Sequence, residues 1–305
     1  MDSGPVGDCL SRFVIENCGV RGEHVRLDSS WRTLHERYDY DPAVRDLLGE
    51  TVAAVALLSA TVKFEGSLTL QSTGDGLIRL LVVEASGQQT YRGLARCRGE
   101  VPRDVGVDEL LGAGRIALTI DPGEGKDRYQ GIVDFDGGPL TEVLERYFQR
   151  SEQIPTRMWL AANGESASGL LLQHLPGQDA PHIRLAEERP DDELEAWRRC
   201  VTLADTVEAE ELLQLPAKTL LRRLFHEEQV RVFEPEPWSF LCRCSPERVK
   251  TMLRALGKAE VDDILAEQGQ VNVTCDFCNA AYNFDAVDAE QVFVGGEAKA
   301  PDWQM

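Results

Sequence analysis

The sequence predicts an α+β protein in three parts: a mixed sheet-and-helix domain over residues 1–180, a helical linker over 181–238, and a small C-terminal domain over 239–305. Three observations lead there. Strand and helix patterns mix through the first part without a regular β-α alternation. An acidic, helix-patterned stretch follows, with 14 acidic and 7 basic residues in 187–241. Finally, four of the eight cysteines fall into two tight pairs between residues 242 and 278.

Taking the elements in order, residues 12–27 suggest two short strands with Arg21-Gly22 at or near the turn. Ser29 or Ser30 can cap a short helix through Trp31, Leu34 and Tyr38. Asp41-Pro42 pairs a carboxylate cap with proline at the first helical position. Val44, Leu47, Leu48, Thr51, Val52, Val55 and Leu58 then recur at helical spacing, which predicts a central core helix. Residues 67–71 and 78–83 flank Gly74-Asp75-Gly76 as a hairpin, and no Walker lysine supports a phosphate loop there. Further strands are expected at 90–97, 116–120 and 130–135, and a helix opens at Pro139. Residues 157–161 and 169–175 form a second hairpin around Asn163-Gly164.

The linker carries two helical patterns. Asp191 and Asp192 suit the first helix's N-terminal dipole, and Leu194, Trp197, Val201 and Ala204 form its stripe. The second runs through Leu212 and Leu213, breaks near Pro216, and resumes with Leu220, Leu221, Leu224 and Phe225. Helices with one narrow apolar stripe are marginal alone and need a surface to dock on. In the last part, Ser245-Pro246 starts a helix that Gly257 stops, a second short helix ends at Gly269, and 271–274 leads as a strand into Cys275. Residues 282–285 read as another strand.

The cysteine pairs are Cys242-Arg243-Cys244 and Cys275-Asp276-Phe277-Cys278. Four thiolates in two short clusters are the ligand set of a closed tetrahedral site for one structural Zn²⁺, with no open position for Lewis-acid chemistry. In extended backbone Cys242 and Cys244 project to one face and can reach the same ion. Without the ion, each pair holds two sulfurs close enough to oxidise, and a ring closed across a single residue should be strained and reducible. A purely structural knuckle and a redox-sensitive clamp are both open on spacing alone. A unit this small is marginal by itself, so removing the ion should unfold it.

Composition narrows the partners. With 52 acidic against 32 basic residues, net −20, the chain is a poor match for nucleic acid or anionic membrane. Residues 1–10 lack a basic n-region and an apolar core, and no run of about 18 apolar residues exists, so no signal peptide and no membrane span are expected. Cys9, Cys18, Cys97 and Cys200 read as buried or incidental thiols of a reducing compartment, which makes the cytoplasm the expected home.

Several motifs together resemble the redox-regulated 33 kDa heat-shock chaperonin family. They are Leu48-Gly49-Glu50, Lys63-Phe64-Glu65-Gly66, residues 71–76, Tyr129-Gln130-Gly131, Tyr147-Phe148 with 151–155, residues 221–228 (LRRLFHEE), and the two cysteine pairs with Phe277 and Asn279. The similarity spans nearly the whole chain except the tail from 295 to 305; Ala280-Ala281 departs from it without touching a ligand. The resemblance implies an ATP-independent holdase with no catalytic residues. Its reduced, zinc-bound form is inactive. Oxidation to Cys242–Cys244 and Cys275–Cys278 disulfides releases zinc, unfolds the metal unit and then the linker, and exposes apolar surface to unfolding clients; the active form is a homodimer. The first domain would then be the chaperone and dimerisation domain. Leu194, Trp197, Val201, Leu220, Leu221, Leu224 and Phe225 are the candidate client-binding residues.

Two rivals stand beside that reading. A zinc-ribbon nucleic-acid binder is opposed by 9 acidic against 5 basic residues in 240–295. A thiol–disulfide oxidoreductase using Cys275 and Cys278 wants a helix after the first cysteine and leaves Cys242 and Cys244 unexplained. Hydrolase chemistry lacks support, since residues 164–168 miss the last glycine of a nucleophile elbow. His24, His35, His174, His182 and His226 show no ligand spacing and are expected at the surface or satisfied in the core.

Overall fold

The computed structural model describes residues 7–16, 18–61, 66–102, 105–123, 125–175 and 190–294. The Lys63-Phe64-Glu65 motif, the start of the linker before residue 190, His182, the side chains of Asp191 and Asp192, and the tail lie outside them. The chain divides into two compact units, Met1–Leu241 and Cys242–Met305.

The first unit is α+β, built on two sheets. One runs β10-β1-β2-β9-β8, from β1 (Cys9–Ile15), β2 (Val20–Leu27), β8 (Thr156–Ala162), β9 (Ala167–His174) and β10 (Val230–Val232), with β11 (Glu236–Pro237) also on β1. The other runs β12-β5-β4-β3-β6-β7, from β3 (Ser67–Gly74), β4 (Ile78–Ser86), β5 (Thr90–Cys97), β6 (Ala113–Asp121), β7 (Tyr129–Asp136) and β12 (Ser239–Phe240). Both expected hairpins form: β3 pairs with β4, and β8 with β9. In the second, Asn163 Oδ1 accepts from the N–H groups of Glu165 and Ser166 at 2.8 and 2.9 Å, which closes the turn.

Helix α2 (Pro42–Thr61) packs against strands of both sheets. That is why it buries far more than the one stripe its spacing predicts: Ala53, Ala54, Ala56 and Leu57 are as buried as Val52 and Val55. A helix with sheet on two sides has no polar face to spare. Asp41 Oδ1 accepts from the Ala43 N–H at 3.0 Å, as its position before Pro42 predicts.

Two local expectations fail for tertiary reasons. Arg21-Gly22 is no turn; it lies inside β2, where a Cβ on Gly22 would come within 2.2 Å of the Phe13 ring on β1. The glycine makes room for an aromatic ring on the neighbouring strand. Helix α1 (Ser29–His35) is capped by neither Ser29 nor Ser30: the Asp8 carboxylate accepts from the N–H groups of Asp28, Ser29 and Ser30 at 2.9 to 3.1 Å. A carboxylate 20 residues away fills the orphan-donor site that the serines could have served.

Helices α5 (Pro190–Ala204), α6 (Ala209–Gln214) and α7 (Ala217–Leu224) form where the two helical patterns are expected, and they belong to the first compact unit. They cover the outer face of the first sheet, where Trp197, Cys200, Leu212, Leu220, Leu221, Leu224 and Phe225 form one core with Phe13, Ile15, Val20, Leu170 and Leu172. The docking surface that their narrow stripes require is therefore the β1-β2-β9 face. The strands β10 to β12 were not legible in the acidic, proline-bearing run after α7. They form because edge strands β1 and β5 offer free ladder positions. Two further helices lie outside the expected elements: α3 (Val107–Leu111) and, in the second unit, α10 (Ala286–Val294). Helix α4 (Leu140–Tyr147) completes the first unit after Pro139.

The second unit holds α8 (Pro246–Leu256), α9 (Lys258–Gln268), the hairpin β13 (Val271–Thr274) with β14 (Ala281–Phe284), and α10. Ser245 Oγ accepts from the Arg248 N–H at 3.2 Å, the cap its sequence predicts. Gly269 ends α9 in the left-handed region at φ 76°. The buried apolar residues are Val249, Leu253, Val261, Val271, Phe284, Ala289 and Val292.

Candidate metal centre

Cys242 and Cys244 lie in the irregular segment leading into α8, while Cys275 and Cys278 lie in the turn of the β13–β14 hairpin. The hairpin turn is held by backbone: Cys275 N–H donates to Ala280 O at 2.9 Å, and Asn279 N–H donates to Cys275 O at 2.8 Å. Asn279 sits at φ 56°, a left-handed conformation that asparagine tolerates better than most residues. This geometry aims both sulfurs to one side of the turn.

The four sulfurs converge. All lie within 4.8 Å of one another. Cys242 Sγ is 3.6 Å from Cys275 Sγ, and Cys244 Sγ is 3.3 Å from Cys278 Sγ. A tetrahedral ion with metal–sulfur bonds of about 2.3 Å needs sulfurs about 3.8 Å apart, so the donor set fits one thiophilic cation with four protein ligands and no open position. Both of these separations join one pair to the other.

Electrostatics differ from thiol to thiol. Burial raises the pKa of Cys242 and of Cys278. Burial also opposes the Cys244 thiolate, but hydrogen bonds from Tyr282 and the neighbouring thiols outweigh it and bring the thiol down to about 7. The Tyr282 hydroxyl donates to Cys244 Sγ at 3.0 Å, and that bond raises its own pKa to about 12. Tyr282 is the one site residue that the sequence marks only as part of a strand. Its signal was its place in β14 opposite Val273, one hairpin with Cys275 and Cys278 at its turn.

The other candidates are spread over the first unit. Leu220, Leu221 and Leu224 on α7 and Phe225 at its end are fully buried, Trp197 is 9% exposed, Val201 is half-buried and Leu194 is 43% exposed. Two histidines expected to be satisfied are not: the Nε2 atoms of buried His24 and His174 lack partners, although His174 stacks on Trp197 at 5.8 Å. Among the described residues, no helix is long and apolar enough to cross a membrane.

The family model described as "Hsp33 protein" matches residues 8–285. The chain belongs to the Hsp33 family. Among curated relatives, the 33 kDa chaperonin of Nitrosococcus oceani is 49% identical, covering 96% of each chain. That of Methylobacillus flagellatus is 47% identical over 94% of this chain and 95% of its own. The crystal structure of the 33 kDa chaperonin of Thermotoga maritima superposes with a TM-score of 0.77 over 93% of this chain and 97% of that one, at 23% identity, and so shares the fold. The family and its relatives' names make the expected kinship a finding, and the sulfur cluster fits the metal and redox features expected of it.

Proposed function

We propose that this chain is an ATP-independent, redox-regulated holdase of the cytoplasm, and not an enzyme, with residues 181–238 as the releasable linker between domains 1–180 and 239–305. The observation that carries the reading is the convergence of four oxidisable sulfurs in a unit whose own core is seven modest apolar residues. In the reduced state Cys242, Cys244, Cys275 and Cys278 hold one structural Zn²⁺, which supplies the folding energy that the small core lacks. Forming each disulfide, Cys242–Cys244 and Cys275–Cys278, removes two electrons from two thiolates and passes them, with two protons from solvent, to one peroxide, which leaves as two waters. The ligand set is then gone, the ion is released, and the C-terminal unit loses its fold. Release of the linker follows, uncovering Leu194, Trp197, Val201, Leu220, Leu221, Leu224 and Phe225 for unfolding client proteins. The active species is a homodimer, and neither nucleic acid nor membrane is a partner. The names of the relatives support the chaperone class, and the net charge of −20 supports solubility of a client-loaded complex.

The test follows metal release with a colorimetric chelator alongside aggregation of a heat-unfolding client, before and after peroxide at raised temperature. About one zinc per chain should leave as protection appears, and reductant should reverse both. Zinc that stays bound while protection is constitutive or absent would reduce the cluster to a structural knuckle.

A further inference from the structure

The four cysteines outside the cluster are not all incidental. Cys18, in the turn between β1 and β2, and Cys200, on α5, are far apart in sequence but are buried in one core, close enough for each thiol to shift the other's pKa. Both are buried, Cys18 at 4% exposure and Cys200 at 0%. The surroundings are organised around them. The Cys18 thiol donates to Glu228 Oε2 at 3.6 Å, in the segment that follows α7. Arg199 on α5 bridges the group, with Nε 2.7 Å from Glu228 Oε1 and Nη2 3.8 Å from Cys18 Sγ. Three elements meet here: the sheet, the first linker helix, and the exit from the last one.

We propose that Cys18 and Cys200 are a second oxidisable dithiol, whose disulfide fastens α5 to the β1–β2 turn. Cys18 is the attacking thiol: its proton faces the Glu228 carboxylate, and a guanidinium stands beside its sulfur. It attacks a peroxide, so that an S–O bond forms, the O–O bond breaks and one water leaves. Cys200 then attacks the sulfenic sulfur; the S–S bond forms, the S–O bond breaks and a second water leaves. Two thiols lose two electrons and two protons, and one peroxide becomes two waters.

Burial sets the order of events. It raises the pKa of Cys18 and, with Cys18 and Glu228 adding to it, pushes Cys200 up to about 12, so few thiolates are present while α5 is seated. Cys242, Cys244 and Cys275 are only partly buried and so meet the oxidant earlier. The second disulfide therefore belongs to longer or harsher oxidation, when α5 opens transiently. Its effect opposes that of the first site, because a cross-link from residue 18 to residue 200 returns α5 to the sheet and restricts how far the linker can leave. That last consequence rests on the proposed linker release; the disulfide itself does not.

The full-length protein, zinc-loaded and reduced, is exposed to graded peroxide at raised temperature, and free thiols are blocked under denaturing conditions before peptide mapping. A Cys18–Cys200 linked peptide should appear after the four cluster thiols are consumed. Hydrogen exchange of amides 190–204 is then compared among oxidised wild type, Cys200→Ala and Cys18→Ser. Exchange should be about tenfold slower in oxidised wild type than in either variant, while all three match when reduced. Blocked Cys18 and Cys200 after full cluster oxidation, linkage to other cysteines, or equal exchange in the oxidised proteins would each overturn the proposal. These readouts concern thiols and α5 alone, so they stand or fall whether or not client aggregation is suppressed.

Discussion

The core around α2 and the core of the C-terminal unit are built on opposite economies. In the first, a helix of twenty residues lies against two sheets and buries twelve of them, including Leu47, Val52, Leu57 and Leu58. In the second, α8, α9, α10 and one short hairpin share seven buried apolar residues, two of them Val249 and Val271, and four sulfurs gather at the hairpin turn. The first is held by area removed from water; the second, on the proposed reading, by a point of chemistry. Area is insensitive to oxidants; sulfur is not. On the proposed reading the stability of the second unit is tied to redox state, whereas the buried residues of the core around α2 include no cysteine.

The largest expected effect removes the point of chemistry. Cys278→Ala, or chelation of the reduced protein, should unfold residues 242–294 while leaving the first unit folded, since a structural zinc site contributes roughly 10–16 kcal/mol of apparent folding energy. Hydrogen exchange across β13 and β14, against that of α2, reads this directly; retained protection in β13 would break the comparison.

Next comes the area-based core. Leu57→Ala, at a fully buried position facing Gly169, should cost about 2–5 kcal/mol in the first unit's urea unfolding and leave the metal content of the second unchanged. A loss of bound metal in that variant would mean the two cores are not independent.

A pair of neighbours on β2 sharpens what burial alone does. Glu23 and His24 project to opposite faces, are both about 2% exposed, and have an unpartnered oxygen and nitrogen, respectively. Burial raises Glu23 from 4.5 to about 7, so the stability it contributes is present below pH 4.5 and lost as pH rises towards 7. Burial lowers His24 from 6.5 to about 4, so its contribution is present above pH 6.5 and lost as pH falls towards 4. Each is worth about 3 kcal/mol at the extreme, and where the two ranges overlap they oppose each other. Glu23→Gln should abolish the loss on the alkaline side and His24→Gln the loss on the acid side, in urea midpoints taken across that pH range. A wild-type profile unaltered by either variant would remove burial as the cause.

The smallest effect is local to the second unit. Ser245→Ala deletes the cap of α8 and should cost about 1 kcal/mol, visible as faster exchange in the first turn of that helix with the cluster intact.

Some of this could be read directly from the chain because its cause lies within a few residues. Asp41-Pro42, Ser245-Pro246, Gly257, Gly269 and Asn163-Gly164 act through short-range hydrogen bonds and backbone freedom, and each does so where the sequence places it. The cysteine spacing announces the ligand set for the same reason: two short clusters need only one turn to converge.

Other features are set across the sheets. Gly22 answers to the Phe13 ring, Asp8 caps a helix it does not precede in sequence, and Tyr282 reaches Cys244 from the far strand of a hairpin. The Cys18–Cys200 contact joins residues that share no local pattern at all. Short-range chemistry, together with the family's motifs, was enough to specify most of the longer elements, the donor set and the kinship of this chain. Which side chains meet between distant strands and helices depended on packing, because a contact is decided by both of its surfaces and each carries only its own half of the pattern.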